Sequence, residues 1–330
     1  MVTSWPKGLP GLQASAERIG QAITAVTGKR LQVKVFAAGE MVKPFEVFDA
    51  VSSGVADMYH SAEYYWEKQS PGFNFFAAVP FGFTAGEMAA WIHYGGGQAL
   101  WDELSANFNV KPLLSTNTGA QMGGWFTKEV TGPESYAGLR YRMPGLGGEV
   151  LRRLGAVVVA LPGGEIVPAL KSGAIDASEW VGPWNDMVLG LHKVSKYYYY
   201  PGFHEPGTVL STGVNKALWD KLSGEDRNLI STVAMAEYTN SLAEFNANNA
   251  KSLQELMQDK SIEIRKFDDA FIQALGKASS DVMSETANKD PLTRKIYESY
   301  SAFRTQQISW TNLADRGYLN SRDLADLGKR

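Results

Sequence analysis

The chain has 330 residues, 44% of them hydrophobic, with a formal net charge of −3 and no cysteine. That length supports two domains rather than one, and the charge leaves no basic field to hold a phosphate backbone. The missing thiol excludes cysteine catalysis, cysteine-based zinc and disulfides, and no apolar run reaches the length of a membrane span.

Met1–Trp5 opens abruptly as a strand, with no leader visible, and reads as a mature or trimmed start. Leu12, Ala16, Ile19, Ile23 and Val26 recur at helical spacing up to Gly28, a helix-ending glycine. Leu31, Val33 and Val35 alternate as a strand. Pro44 then opens a helix that Gly54 closes, and Val55–Tyr59 reads as another strand. This rhythm predicts an α/β sheet with parallel pairs. It returns later: strand Ala156–Leu161, helix Ile166–Ser172, strand Ala174–Ser178. Residues 50–57 and 169–176 share four identities in eight positions, ending in Ser-Gly-x-x-Asp, which suggests two lobes of like construction. In that overlay His60 and Ser61 stand where Glu179 and Trp180 stand, so one strand end from each lobe is expected to face a common cleft.

Between these units, Leu113–Thr118 reads as a strand leading to Gln121 on a glycine-rich loop. Leu139–Met143, carrying Arg140 and Arg142, is a strand stopped by Pro144-Gly145. Tyr197–Tyr200 and Val209–Asn215 look extended, flanking a loop that crosses back to the first lobe. From Glu225 to Ser261 there is no Gly or Pro. A helix of roughly 35 residues is about 50 Å long, more than one lobe's width. Ile262–Phe267 is a late strand, and the remainder is helical.

The stretch most suggestive of function is Ile175–Asp186, IDASEWVGPWND. A carboxylate and an indole end a strand, Gly182-Pro183 turns the chain, and Trp184 offers a second aromatic wall. Ligand sites in α/β sheets lie at such strand ends. Each candidate has a plainer reading: Arg142 as a surface arginine paired with Glu149, Glu179 as a carboxylate satisfied by backbone, the tryptophans as packing. The four histidines are scattered without metal-binding spacing, and no GxSxG, Walker loop or GxGxxG occurs.

Five motifs, TSWPKGLPG, TGAQMGGWF, YRMPGLGGEVLRRLGA, IDASEWVGPWND and KYYYYPGFHEPG, occur in this order. Together they closely resemble the extracytoplasmic solute receptors of TRAP transporters, nearest to the branch that binds 2-oxo acids such as pyruvate. The resemblance implies a two-lobed, type-II-like periplasmic binding fold with a long helix spanning both lobes. It implies lobe 1 from residues 1–122 and 208–238, lobe 2 from 123–207 and 239–290, and a C-terminal helical extension over 291–330. It implies a ligand carboxylate held by Arg142, with Tyr65 matching a tyrosine that touches the ligand. It further implies a bridging sodium or calcium ion held by Gln121, Glu179, the main-chain carbonyl of Trp180 and, less firmly matched, Glu205. The implied setting is the periplasm, with TRAP permease subunits as membrane partners and a homodimer joined through the C-terminal helices. A receptor for lactate or another 2-hydroxy acid, a metal-assisted enzyme using the same cleft, and a sensory module of the same fold remain alternatives on the sequence alone.

Overall fold

The computed structural model describes residues 1–325. In chain order, β1 (Val2–Thr3) leads to α1 (Leu12–Val26), which buries Leu12, Ala16, Ile19 and Ile23 along one stripe. Next come α2 (Val47–Ser52), β2 (Met58–Ser61), α3 (Ala85–Tyr94), α4 (Gly97–Ala106) and β3 (Val110–Asn117). A Thr84–Glu87 capping box starts α3. The middle of the chain forms β4 (Gly124–Phe126), β5 (Arg140–Arg142), α5 (Gly145–Arg153), β6 (Val157–Val159), α6 (Gly163–Lys171), β7 (Ala177–Ser178), α7 (Pro183–Leu189) and β8 (Tyr197–Tyr200). The last part forms β9 (Val209–Asn215), α8 (Lys216–Trp219), α9 (Gly224–Gln258), β10 (Glu263–Lys266), α10 (Asp269–Ala287), α11 (Pro291–Leu313) and α12 (Asp315–Leu324).

Two sheets result, one per lobe. The first has the order β1-β2-β9-β3 and the second β10-β8-β4-β7-β5-β6. Parallel pairs occur where helices connect strands, as in β1–β2, β5–β6 and β5–β7. However, β9 runs antiparallel to both its neighbours, and β4 runs antiparallel to β7 and β8, so both sheets are mixed. The antiparallel strands are those reached by crossing between lobes, which the strand–helix–strand rhythm does not register.

The expected strand at Leu31–Val35 does not form. Its apolar side chains are half-buried beside α1, where Val33 and Val35 pack against Gly20. The adjacent edge strand, β1, is two residues long and offers only one bridge, Val2 to Phe36. Alternation here records one-sided burial without a ladder partner.

The chain leaves the first sheet between Asn117 and Gly124 and returns between Tyr200 and Val209. The two crossings are bonded to each other: Thr118 N donates to Thr208 O (3.1 Å), Gln121 N to Glu205 O (3.1 Å) and Gly202 N to Gln121 O (3.1 Å). Ser223 caps α9 by accepting from Asp226 N (3.0 Å). This helix has 35 residues and packs on β3 and α1 of one lobe and on α7 of the other. Arg18 of α1 grips Glu237 (2.6 Å) and Glu244 (2.8 Å) of α9. Beyond it, α11 buries Ile296 and Tyr300, and the Tyr300 hydroxyl accepts from Phe83 N (2.9 Å). The outer end of α11 and all of α12 expose Trp310, Leu313, Tyr318 and Leu324. The final part of the expected 291–330 extension, residues 326–330, lies outside the described residues.

Candidate ligand and cation site

Strand pairing brings the first two site residues together. In the parallel pair β5–β7, Arg142 stands opposite Ser178, so the residue after β7, Glu179, emerges beside the guanidinium. Glu179 N donates to Arg142 O (3.3 Å), extending the pairing one residue past the strand. Arg142 Nη1 donates to Glu179 Oε1, and both side chains are only 1% exposed. A surface arginine paired with Glu149 is therefore excluded; Glu149 pairs with Arg152. Arg142 Nε donates to Leu161 O (2.9 Å), and Nη1 also reaches Glu179 O (3.3 Å). Its Nη2 has only the Tyr65 hydroxyl, at 3.5 Å, among the described residues. Burial disfavours the guanidinium charge, but Glu179, then Tyr65, Tyr64 and Glu205, outweigh it and raise the Arg142 pKa.

The two crossings supply the other half. Thr118 donates its hydroxyl proton to Gly119 O (3.0 Å), and Thr208 donates its own to the Glu205 carboxylate. Each hydroxyl has only lone pairs left for Gln121, whose Nε2 donates to both, at 3.1 Å each. This fixes the amide: its nitrogen faces the threonines, and Gln121 Oε1 is left buried without a partner among the described residues. Glu205 is buried, and desolvation first, then the nearby Glu179 charge, lift its carboxyl to about 7.

Aromatic rings close the space. Trp180 lies under the Arg142 guanidinium at 5.2 Å and meets Trp5 edge-on at 6.5 Å. Its neighbour Gly163, which opens α6, must lack a side chain, because a Cβ there would stand 2.5 Å from the indole. Tyr65 and Tyr64 also line this cavity of about 10 Å³. Two expectations fail. Trp184 is no wall of this cavity; it packs edge-on against Phe245 of α9 at 5.4 Å. His60 does not face the cleft; it sits behind Trp5, accepting from Trp5 Nε1 (2.8 Å) and bonded to Thr116 Oγ1 (3.0 Å).

Asp186 was legible only as the end of the key stretch, yet it holds the Glu179–Trp180 segment in place. It accepts from Val181 N (3.0 Å), Trp125 Nε1 (3.0 Å) and Tyr198 OH (2.7 Å), while burial lifts its carboxyl to about 7. Sequence reasoning also missed His204, whose Nε2 lies 3.6 Å from Glu179 Oε2. Its one signal was adjacency to Glu205 on the crossing. Glu179, His204 and Glu205 present ligand atoms within 4.8 Å of one another, all buried. Gln121, whose Oε1 has no partner among the described residues, is bonded through its main chain to Glu205, and this donor set fits an oxygen-seeking cation.

Two lobes joined by paired crossings and closed over a small charged cleft define a solute-binding protein. Residues 1–290 match the family model described as bacterial extracellular solute-binding protein, family 7, the DctP family. A monocarboxylate 2-oxoacid-binding periplasmic protein of a Nostoc strain is 41% identical over 320 residues, covering 97% of this chain and 87% of the relative. A TRAP-transporter solute-binding protein from Bordetella bronchiseptica, with calcium and picolinate in its active site, superposes with TM-score 0.96. It is 32% identical, with 98% of this chain and 96% of that one covered. A TRAP solute-binding protein from Pseudoalteromonas atlantica, with bound sodium and pyruvate, gives TM-score 0.94 at 34% identity, with 97% of each chain covered. The chain belongs to the DctP family of TRAP-transporter solute receptors. It is accordingly an extracytoplasmic receptor that works with membrane components, not an enzyme.

Proposed function

We propose that this receptor binds a small 2-oxo monocarboxylate of the pyruvate class between Arg142 and a sodium or calcium ion. The observation that carries the reading is a complementary pair of unmet groups on one cavity. Arg142 Nη2 is a charged donor with only a 3.5 Å contact, and Gln121 Oε1 is a buried acceptor with none. An anion answers the first and a cation the second. The cation would rest on Gln121 Oε1, Glu179, Glu205 and the Trp180 carbonyl, supplying positive charge against the two carboxylates and the solute. The Arg142 fork is held ready for an anion, because Leu161 O holds Nε and Glu179 holds Nη1, which leaves Nη2 for the solute carboxylate. Tyr65 stands beside Nη2 as a second contact, and burial raises its hydroxyl pKa to about 12, so it stays a neutral donor at physiological pH. Trp5 and Trp180 keep water out, so charge is buried only in compensated form.

We assign the moving parts as residues 1–122 with 208–238, and 123–207 with 239–290, hinged at the paired crossings. We further infer a homodimer through residues 291–330, supported by the exposed Trp310, Leu313, Tyr318 and Leu324. Replacing Leu313 and Leu324 with Glu is expected to leave a monomer in light scattering; an unchanged mass would remove that assignment. The function itself is tested by calorimetry with pyruvate, lactate and a C4 dicarboxylate, with and without sodium, calcium or chelator. Pyruvate should bind tightest and require the cation. Chelator-insensitive binding in sodium-free buffer, or preference for the dicarboxylate, would refute the reading.

A further inference from the structure

His204 is a residue beside Glu179 whose chemistry that reading leaves unused. It is 2% exposed, on the crossing between β8 and β9. Neither ring nitrogen has a hydrogen-bond partner among the described residues. Packing alone fixes the ring: Phe203 meets it edge-on at 5.4 Å, and Gly147 of α5 sits so close that a Cβ there would lie 2.7 Å from His204 Cβ. Buried polar groups are nearly always partnered, so an imidazole with two unmet nitrogens calls for a ligand. His60 is the internal control. It is also fully buried, and there both nitrogens are satisfied, by Trp5 and by Thr116. The fold can partner a buried imidazole where it is structural.

The geometry around His204 points to a metal ion. Glu179 divides its carboxylate: Oε1 accepts from Arg142, while Oε2 turns toward His204 Nε2 at 3.6 Å. That separation is too long for a hydrogen bond. It suits two donors on one ion, since opposite ligands at about 2.1 Å stand about 4.2 Å apart and adjacent ones about 3.0 Å. Glu205 brings a second carboxylate within the same 4.8 Å group. Sodium and calcium gain little from an imidazole, whereas manganese, cobalt and zinc bind carboxylate and imidazole together.

We propose that His204 Nε2 is a further donor at the cation position, so that this cleft accepts borderline first-row divalent ions, of the cobalt and zinc class, as well as hard cations. The proposal rests on the reading of the cleft as a cation site, and its test separates the two. The untagged protein is stripped with chelator and titrated with Co2+ and, separately, Ca2+, following visible absorption for cobalt and heat for both. Wild type should bind one equivalent of Co2+ at least tenfold more tightly than Ca2+. In His204→Gln the ratio of Co2+ to Ca2+ affinity should fall at least tenfold, since an amide oxygen replaces a nitrogen. Should that variant misfold, pulsed electron paramagnetic resonance of Cu2+-loaded wild type reads a coordinated imidazole nitrogen directly. Absence of that nitrogen coupling, or an unchanged affinity ratio in His204→Gln, would overturn the assignment of His204. Calcium binding abolished by Glu179→Gln while cobalt is ignored would overturn this proposal and leave the pyruvate-class reading standing. Failure of the wild type to bind any of these ions would sink both.

Discussion

Two strand ends of like sequence meet different fates in this molecule. At the end of β2, His60 is held by Trp5 and Thr116, and Ser61 shares a 2.6 Å hydrogen bond with Ser4. After β7, Glu179 is locked to Arg142, and the polar atoms of this end include Gln121 Oε1, Trp180 Nε1 and both nitrogens of His204, all without partners among the described residues. The first end is closed, neutral and satisfied. The second concentrates ionisable groups and unmet hydrogen-bonding capacity in a buried space. The same local turn solution thus serves as structure in one lobe and as a binding surface in the other. What distinguishes them is not the strand end but what the rest of the chain brings to it.

The sharpest way to break this contrast is Arg142→Ala. It strips the partner from a buried Glu179 and removes the anion's donor, at a cost of about 3–5 kcal/mol. Pyruvate affinity measured by calorimetry should fall by about two to three orders of magnitude; a loss under tenfold would contradict the assignment. Glu179→Gln comes next. It removes the carboxylate facing the cation position, so affinity should fall by about 2–3 kcal/mol and lose its dependence on added cation. Persisting cation dependence would move the ion elsewhere.

His60→Leu tests the quiet end. Leaving Trp5 Nε1 and Thr116 unpaired should cost about 1–3 kcal/mol of stability in denaturant melts, with solute affinity changed about twofold or less. Burial, aided by the Arg18 charge, pushes the His60 imidazole down to about 3 from 6.5. A depressed folded-state pKa contributes stability present above pH 6.5 and lost as pH falls toward 3, because the unfolded chain takes up the proton first. The wild type should therefore lose stability across that window, and His60→Leu should lose less. An equal acid slope in both would assign the sensitivity to other groups. The smallest effect is expected of Tyr65→Phe, since its contact to Arg142 is 3.5 Å long: about 0.5–1.5 kcal/mol of affinity, read by the same titration.

Much of this molecule was legible one segment at a time. The uninterrupted run from Glu225 predicted α9, and Val209–Asn215 is a strand with the bounds expected. Arg142 and Glu179 stood out because each ends a short alternating run before a Gly-Pro or Pro-Gly turn. Alternation misled at Leu31–Val35, where burial on one side mimics a strand, and aromatic character misled at Trp184, which serves packing. His204 carried no periodic signal, only its place beside Glu205 in KYYYYPGFHEPG.

Local propensity, caps and turn residues are properties of neighbours in sequence, and these the chain determined by itself: which segments coil, which extend, and where each stops. Tertiary structure alone decided which ends meet. Arg142 and Glu179 are 37 residues apart, and Gln121 and Thr208 are 87 apart. Their meeting depends on parallel register between β5 and β7 and on two crossings bonded side by side, and neither leaves a mark in the short-range pattern of either segment. The orientation of the Gln121 amide, the split use of the Glu179 oxygens and the unmet nitrogens of His204 follow from that long-range pairing, because hydrogen bonds are satisfied or left open only once distant donors and acceptors share one buried space.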